Sequence, residues 1–163
     1  MVIRKLTSED YEQAEALFRK LHNIHVTALP DMFKERDRIY RKRDFKKLIK
    51  SKEKILLCAE EKGRIIAVSN TKLCTSGMTE IKMAFMDAIY VEEGYRKNGV
   101  GKQLFSETER LAKEWGAKRL DLSVWSFNKT ALGFYEALGM GNRYIIHQNT
   151  ARNTLSIGNQ RFV

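Results

Sequence analysis

The sequence is poor in cysteine and proline and lacks long apolar runs. Its two cysteines, Cys58 and Cys74, lie in apolar segments without a CxxC motif, and Pro30 is the only proline. We therefore expect packed, reduced thiols and no disulfide framework. No apolar stretch reaches the roughly 18 residues that cross a bilayer, and the N-terminus becomes acidic by Glu9 without an apolar core. These absences predict a cytoplasmic protein without a membrane anchor.

Histidine is also scarce, with His22, His25 and His147 as the full set. Their spacing does not match that of metal ligands, so the sequence predicts no metal site. A chain of 163 residues fits one domain, which we expect to span residues 1–163. A domain of this size buries enough apolar surface to fold without disulfides.

Acidic residues are outnumbered, which gives a net charge of +10. Much of the excess falls in residues 34–54, with eleven Lys or Arg against four Asp or Glu. This basic block has two interpretations, a solvated helix face or a surface that meets polyanions such as nucleic acid or a nucleotide cofactor. Tyr40 and Phe45 are spaced for a helix core, which favours the solvated face and makes nucleic acid a less favoured partner.

The periodicity of apolar residues predicts the element order βααβββαβαββ. The first helix is capped at Thr7 or Ser8, the second carries Ile39, Tyr40 and the basic block, and Asn128 caps the fourth. The central β–α–β unit needs a parallel strand pair, whereas the hairpins are antiparallel. The predicted fold class is α/β (α+β by some schemes), a single mixed, mostly antiparallel sheet flanked by helices.

A glycine-rich turn joins the strand at 82–91 to the third helix. Gly99 and Gly101 let the backbone approach a ligand closely, and the free N–H groups at the helix start favour phosphate. Arg96, Lys97 and Lys102 add positive charge. The turn therefore predicts an anion-binding site.

Two common phosphate-binding motifs do not fit this turn. A P-loop would need lysine where Val100 stands, and a dinucleotide-binding fingerprint would need glycine where Leu104 stands. The pattern that fits is Arg-x-x-Gly-x-Gly, from Arg96 to Gly101. By itself this pattern is short and occurs by chance.

Residues 86–141 together resemble the GNAT family of N-acetyltransferases. The resemblance rests on three segments: the strand 87–91, the turn 95–101 with its following helix, and Asn128-x-x-Ala131-x-x-Phe134-Tyr135-x-x-Leu138-Gly139. It implies that the chain is an enzyme with acetyl-CoA as co-substrate. The residues expected to bind the cofactor are Ile89, Tyr90, Val91, Arg96, Lys97, Asn98, Gly99, Val100, Gly101, Lys102, Asn128 and Tyr135.

The same resemblance implies two catalytic residues. Tyr135 matches the position that protonates the leaving thiolate, and Asp87 lies near the placement of the general base in several relatives. Glu92 and Glu93 are expected to face solvent. His22 and His25 fall in the region that lines the acceptor mouth of this fold, although surface or capping roles are favoured for them.

The acceptor is expected to be a primary amine of a small molecule. The alternatives are a protein or peptide amine, at an N-terminus or a lysine, and a CoA-binding sensor or nucleic-acid-associated module without catalysis. A homodimer is possible in this family. If the basic block faces inward, a neutral or anionic amine is favoured as the acceptor.

Overall fold

The computed structural model describes residues 1–77 and 80–142 and contains five strands and four α-helices in that part of the chain. The element order is the predicted one as far as the described residues extend. The two strands predicted at 143–147 and 154–162 lie outside them. In chain order the elements are β1 (Val2–Lys5), α1 (Tyr11–Ala28), α2 (Lys42–Lys50), β2 (Lys54–Glu61), β3 (Arg64–Thr75), β4 (Lys82–Val91), α3 (Val100–Trp115), β5 (Arg119–Leu122) and α4 (Lys129–Ala137).

The five strands form one sheet in sequence order, β1-β2-β3-β4-β5. The first three pairings are antiparallel, and β5 is parallel to β4 because α3 carries the chain back across the sheet. The predicted mixed, mostly antiparallel sheet is confirmed.

Helices cover both faces of the sheet. On one face Tyr11 and Phe18 of α1 and Phe45 of α2 pack on the sheet, and all three are buried. On the other face Leu104 of α3 packs on a second set of strand side chains, among them Ile66. Complete burial of such side chains contributes about 1.5–3 kcal/mol each, so these two layers hold the sheet in place. None of the described helices has the length and apolarity to cross a bilayer.

The second helix differs from the prediction at its start. It begins at Lys42, so Ile39 and Tyr40 precede it. The reason is Glu15, a buried residue of α1 whose carboxylate accepts the backbone N–H groups of Ile39 and Tyr40. A carboxylate in the core needs such donors, and these N–H groups satisfy it while holding the segment in a non-helical path.

Thr7 caps the 3-10 turn before α1, and Asp10 rather than Thr7 or Ser8 is the N-cap residue of α1 itself. The backbone N–H of Thr7 donates to Asp10 Oδ2 at 2.7 Å, and a short 3-10 turn at Ser8–Asp10 leads into α1. The Asp10 carboxylate also accepts hydrogen bonds from the two terminal guanidinium nitrogens of Arg4, at 2.7 and 2.8 Å. The arginine lowers the pKa of the Asp10 carboxyl to about 2. This bidentate pair fastens β1 to the start of α1.

Candidate active site

Strand β4 has two halves that differ in their pairing. Residues 83–86 pair with 119–122 of β5, but β5 ends at Leu122 and no described strand pairs with that edge of β4 beyond Met86. On its opposite edge β4 stays paired with β3 as far as Val91. The backbone groups of 87–91 that face away from β3 are therefore open to a ligand that pairs like a strand.

A bulge marks the point where the two halves meet. Asn70 pairs with Ala88 and Thr71 with Met86, so Asp87 is the extra residue on β4. Its carboxylate Oδ2 lies 2.8 Å from Lys54 Nζ. Bulges redirect side chains, and this one places a half-exposed carboxylate at the start of the open edge.

The glycine turn follows the end of β4 and leads into α3, as predicted. Gly99 has φ +76° and precedes the first residue of the helix, and Lys97 also has a positive φ of +63°. The first four N–H groups of a helix have no intrahelical partner, so they are free to hold an anion here. The turn thus has the local geometry expected of a phosphate site.

Arg96 has a structural role that sequence reasoning missed. Its Nε donates to the Val91 carbonyl at 2.9 Å, and its guanidinium carbon lies 5.3 Å from the centre of the Tyr90 ring. These contacts hold the turn against the end of β4 while part of the guanidinium remains exposed. Contact of Arg96 with a phosphate stays a prediction.

Gly101 lies where α3 and α4 meet. A Cβ built on Gly101 would be 3.3 Å from two ring atoms of Phe134 and 3.5 Å from Val91 Cγ2. Close packing therefore accounts for this glycine, in addition to any approach of its backbone to a ligand. The contact joins the first turn of α3 to the helix that carries Tyr135.

Tyr135 is 9% exposed and packs between α3 and β4, where it clusters with Met86, the last residue of β4 that β5 pairs, and with Ile89 of the open half. Its hydroxyl is 3.9 Å from Met86 Sδ, and its ring packs against Phe105 and Phe134. Burial raises the pKa of the phenol to about 12. The hydroxyl thus keeps its proton throughout the physiological range. The residue it contacts, Met86, immediately precedes the bulge residue Asp87 in β4.

Asn128 acts as the cap of α4, as expected. Its side-chain Oδ1 accepts the N–H of Ala131 at 3.1 Å. Among the described residues none accepts from the amide nitrogen of the same side chain, and the predicted contact with the cofactor stays a prediction.

Glu92 is not the solvent-facing residue that the sequence predicted. Its side chain is 17% exposed, forms an ion pair with Lys20 of α1, and lies 3.9 Å from Arg64. The carboxylate can be covered because α1 crosses this end of β4 and supplies a compensating charge. Glu93, at 83% exposure, does face solvent.

The two histidines of α1 join an aromatic cluster at the end of that helix. The ring of His25 lies 5.3 Å from Phe33 and 6.1 Å from Phe127, and Phe33 lies 5.8 Å from Trp125. Burial is the main cause of a lowered pKa of His25, and the charge of the nearby His22 lowers this pKa further. The cluster ties the loop after α1 to the segment after β5, a connection that the scattered positions of these rings in the sequence did not reveal.

The basic block is divided between solvent and a cavity. Exposed residues of α2 include Lys42, Lys46 and Lys50, which matches the solvated-face interpretation. Lys54, which is half-buried, and Lys47, which is exposed as well, line an open cavity of about 540 Å³ between α2 and the ends of β2 and β3, together with Tyr40, Asp44, Leu48, Ser51, Glu53 and Lys72. Most lysines and arginines of the basic block therefore face solvent, and Lys47 and Lys54 also line the cavity.

The described residues contain two free cysteines and no cluster of side chains suited to bind a metal ion. Cys58 is buried, its Sγ lies 3.6 Å from the Arg4 carbonyl, and burial raises the pKa of its thiol to about 11. Cys74 is a half-buried free thiol. Across 1–77 and 80–142 there is no grouping of three or more histidine, cysteine or carboxylate side chains that could hold a metal ion.

The sequence of residues 13–140 matches the family model described as the acetyltransferase (GNAT) family. The chain belongs to this family. The match spans the open strand, the glycine turn and Tyr135, and it confirms the resemblance found on residues 86–141. The family is one of acetyltransferases, which is the enzyme class that the sequence predicted.

Solved structures show how far the family fold extends. A mutant of the BH1408 protein from Bacillus halodurans is 25% identical and covers 93% of this chain and 100% of its own, with a TM-score of 0.88. The aminoglycoside N-acetyltransferase AAC(6')-Iy, in a structure that contains CoA, is 17% identical and covers 92% of this chain and 100% of its own, with a TM-score of 0.70. At 17% identity, the likeness to the aminoglycoside N-acetyltransferase shows the fold alone.

Among curated relatives, thialysine N-epsilon-acetyltransferase from Bos taurus is 34% identical over 55 residues. The matched segment covers 34% of this chain and 32% of the relative. The chain thus matches about a third of the length of this relative, and the rest of the relative is outside the comparison.

Proposed function

We propose that this chain is an acetyl-CoA-dependent N-acetyltransferase that transfers an acetyl group directly to a primary amine of a small molecule. The observation that carries the proposal is the open edge of β4, which ends at the anion-binding start of α3. One strand edge and one helix terminus, joined by the glycine turn, suit a ligand with an amide-bearing arm and a pyrophosphate. The relative named for its action on thialysine supports a small-molecule amine as the acceptor.

The glycine turn would hold the pyrophosphate. Backbone N–H groups from Gly99 to Lys102 lie in or next to the first turn of α3, and Lys97 and Lys102 add positive charge nearby. Along the edge, the backbone of Ile89 to Val91 would pair with the amide-bearing arm. An N–H of this edge would also donate to the acyl carbonyl oxygen, and such a fixed dipole is often the largest catalytic contribution.

Acetyl-CoA supplies an activated thioester when it is bound. Tyr135 then acts as the donor toward the sulfur, since its hydroxyl is protonated and lies beside Met86, the residue that precedes the open edge. A thiol has a reference pKa near 8.5, so full transfer of a proton from a phenol of pKa about 12 costs about 5 kcal/mol. Tyr135 is therefore a hydrogen-bond donor whose proton moves only as another proton replaces it.

Asp87 would take the proton that the acceptor amine loses. Its Oδ2 is held by Lys54, which leaves Oδ1 available to the amine or to a bridging water. The carboxylate lies at the start of the open edge on the face of the sheet that carries Lys54, whereas Met86 and the Tyr135 hydroxyl lie on the face covered by α3, so the two groups reach the open edge from opposite faces. A proton accepted at Asp87 and a proton donated by Tyr135 balance the exchange of an amine hydrogen for a thiol hydrogen.

A thermal-shift titration tests the cofactor half of the proposal. A ligand that binds only the native state must stabilise it, so acetyl-CoA should raise the Tm in a concentration-dependent manner. A panel of amines assayed for release of free CoA then tests the acceptor half. An unchanged Tm at ~1 mM acetyl-CoA would contradict the proposal.

A further inference from the structure

The cavity between α2 and the ends of β2 and β3 contains more hydrogen-bond donors than its own residues use. Three lysines line it: Lys47 on α2, Lys54 on β2 and Lys72 on β3. Lys54 is paired with Asp87, whereas Lys47 and Lys72 contact no acceptor or acid within residues 1–77 and 80–142. Both side chains are exposed, so their ammonium groups are solvated and within reach of a ligand anion.

The arrangement of the lysines is itself unfavourable. Lys54 and Lys72 stand directly opposite each other on adjacent antiparallel strands. Like charges in this position repel each other, and Asp87 compensates for only one of them. An anion in the cavity would remove the remaining repulsion.

Tyr40 adds a neutral donor to the same wall. The Asn70 side-chain nitrogen donates to the Tyr40 hydroxyl oxygen at 3.1 Å, so the hydroxyl proton must point elsewhere. Within the described residues the Tyr40 proton meets no acceptor, so it is available to a ligand in the cavity that Tyr40 lines.

The cavity also adjoins the proposed reaction centre. Lys54 lines the cavity and contacts Asp87, and Lys72 pairs with Phe85, two residues before Asp87 on the neighbouring strand. By strand geometry, the Cα atoms of Asp87 and Lys72 are about 8 Å apart. A single small molecule can therefore place an amine at Asp87 and a negative group at Lys72.

From these contacts we infer that the acceptor is an amine that also carries a carboxylate, that is, an amino acid or a close derivative. Its carboxylate binds Lys72, Lys47 and the Tyr40 hydroxyl, and its amine faces Asp87. Asp44 and Glu53 also line the cavity, and Asp44 lies 3.6 Å from Arg43. A cavity lined by both positively and negatively charged side chains suits a zwitterion better than a polyanion or a polyamine. The inference rests on the proposed function, because it assigns the acceptor of that reaction.

Binding of matched amines tests the inference without any need for turnover. The probes are L-lysine with its decarboxylated partner cadaverine, and L-phenylalanine with phenethylamine, titrated by calorimetry in a buffer free of carboxylates. Each amino acid should bind at least ~10-fold more tightly than its partner, as loss of a charged hydrogen bond predicts. Equal affinities within both pairs, or no binding of either amino acid up to ~10 mM, would overturn the inference.

Two lysine variants locate the effect. Lys72→Met keeps an unbranched chain of similar length and should remove most of the preference for the amino acid while leaving cadaverine binding unchanged. Lys50→Met is the matched control, since Lys50 is exposed on α2 and does not line the cavity. A preference that survives in Lys72→Met, or that is lost equally in both variants, would contradict the assignment. The acetyl-CoA titration above is independent of these outcomes, so failure of the acceptor subsite and failure of the proposed function can be told apart.

Discussion

The two sides of the proposed reaction centre are built differently. The donor side consists mainly of backbone: the open edge of β4, the turn at Gly99 and the first N–H groups of α3. The acceptor side consists of side chains that come from the segment before α2, from α2 itself and from strands β2, β3 and β4, among them Tyr40, Lys54, Lys72 and Asp87. A backbone site recognises what all acyl-CoA molecules share. A site of side chains can change its ligand by substitution, so the two sides are free to differ in specificity.

Tyr135 gives the strongest test of this comparison, because it is the side chain on which the donor side depends. We expect Tyr135→Phe to lower kcat by about 10²-fold or more, since acid–base groups contribute on that scale. The affinity for acetyl-CoA should change little, because the ring and its packing remain. Steady-state kinetics and a direct binding measurement separate the two effects.

The pH profile of the same variant provides a control. Burial raises the pKa of Tyr135 to about 12, so this residue stays protonated below pH ~11. Any fall in kcat below that pH must come from another group and should persist in Tyr135→Phe. A kcat equal to that of the wild type, with chemistry shown to be rate-limiting, would remove the tyrosine from the mechanism.

Asp87 gives the corresponding test on the acceptor side. Replacing it with asparagine keeps the size of the side chain and the bulge but removes the base, and we expect kcat/KM to fall about 10-fold to 10²-fold at neutral pH. Because a base is required only for a protonated amine, the loss should shrink as the pH approaches the pKa of the acceptor amine. A pH series of kcat/KM measures this trend.

Lys54→Met serves as the control for Asp87. This change removes the ion-pair partner but leaves the carboxylate in place. If Asp87 served only to neutralise Lys54, the two variants would lose activity equally. A much smaller loss in Lys54→Met supports the base role.

Gly99 tests the backbone nature of the donor side. Its φ of +76° disfavours any residue with a Cβ by about 1–2 kcal/mol, so Gly99→Ala should distort the turn and raise KM for acetyl-CoA by about 10-fold. Gly94 in the same turn region has no positive φ and open space around its Cα, which makes Gly94→Ala the matched control. Equal KM values for the two variants would show that the turn geometry does not matter for binding.

The smallest effect concerns the scaffold rather than either side of the site. Arg4 lowers the folded-state pKa of Asp10 to about 2, so the pair stabilises the fold above pH ~4, and the stabilisation disappears as the pH falls toward 2. After allowance for solvent screening, we expect Asp10→Asn to lose about 1 kcal/mol of unfolding free energy at pH 7 and almost nothing at pH 2. Urea unfolding at the two pH values measures the difference, and kcat should stay unchanged.

The sequence predicted the donor side well because its signals are local. Glycine spacing, a helix start and an alternating strand are readable from neighbouring residues, which is why the segment 82–91 and the start of α3 at Val100 agree with the structure. The roles proposed for Tyr135 and Asp87 came from family resemblance and stay predictions. The contact of Tyr135 with Met86 and the contact of Asp87 with Lys54 could not be predicted from the sequence.

The acceptor side was not predictable in the same way, since its contacts join distant parts of the chain. Lys54 and Lys72 become neighbours through a strand register, and Phe33 meets Trp125 across more than ninety residues. Glu92 was placed in solvent because nothing near it in sequence reveals Lys20 of α1. Long-range pairing of this kind depends on the assembled sheet rather than on any local pattern.

The bulge on β4 has a consequence for how this strand could have arisen. Met86 faces α3, Ala88 faces α1 and α2, and Ile89 faces α3 again, so the alternation is regular if Asp87 is left out. The extra residue leaves the facing of its neighbours unchanged, which in genetic terms resembles a one-codon insertion. A chain lacking Asp87 should therefore keep every neighbouring side chain on its present face. The carboxylate and the scaffold are thus separable in this strand, since the residue that carries the carboxylate is not needed for the alternation of its neighbours.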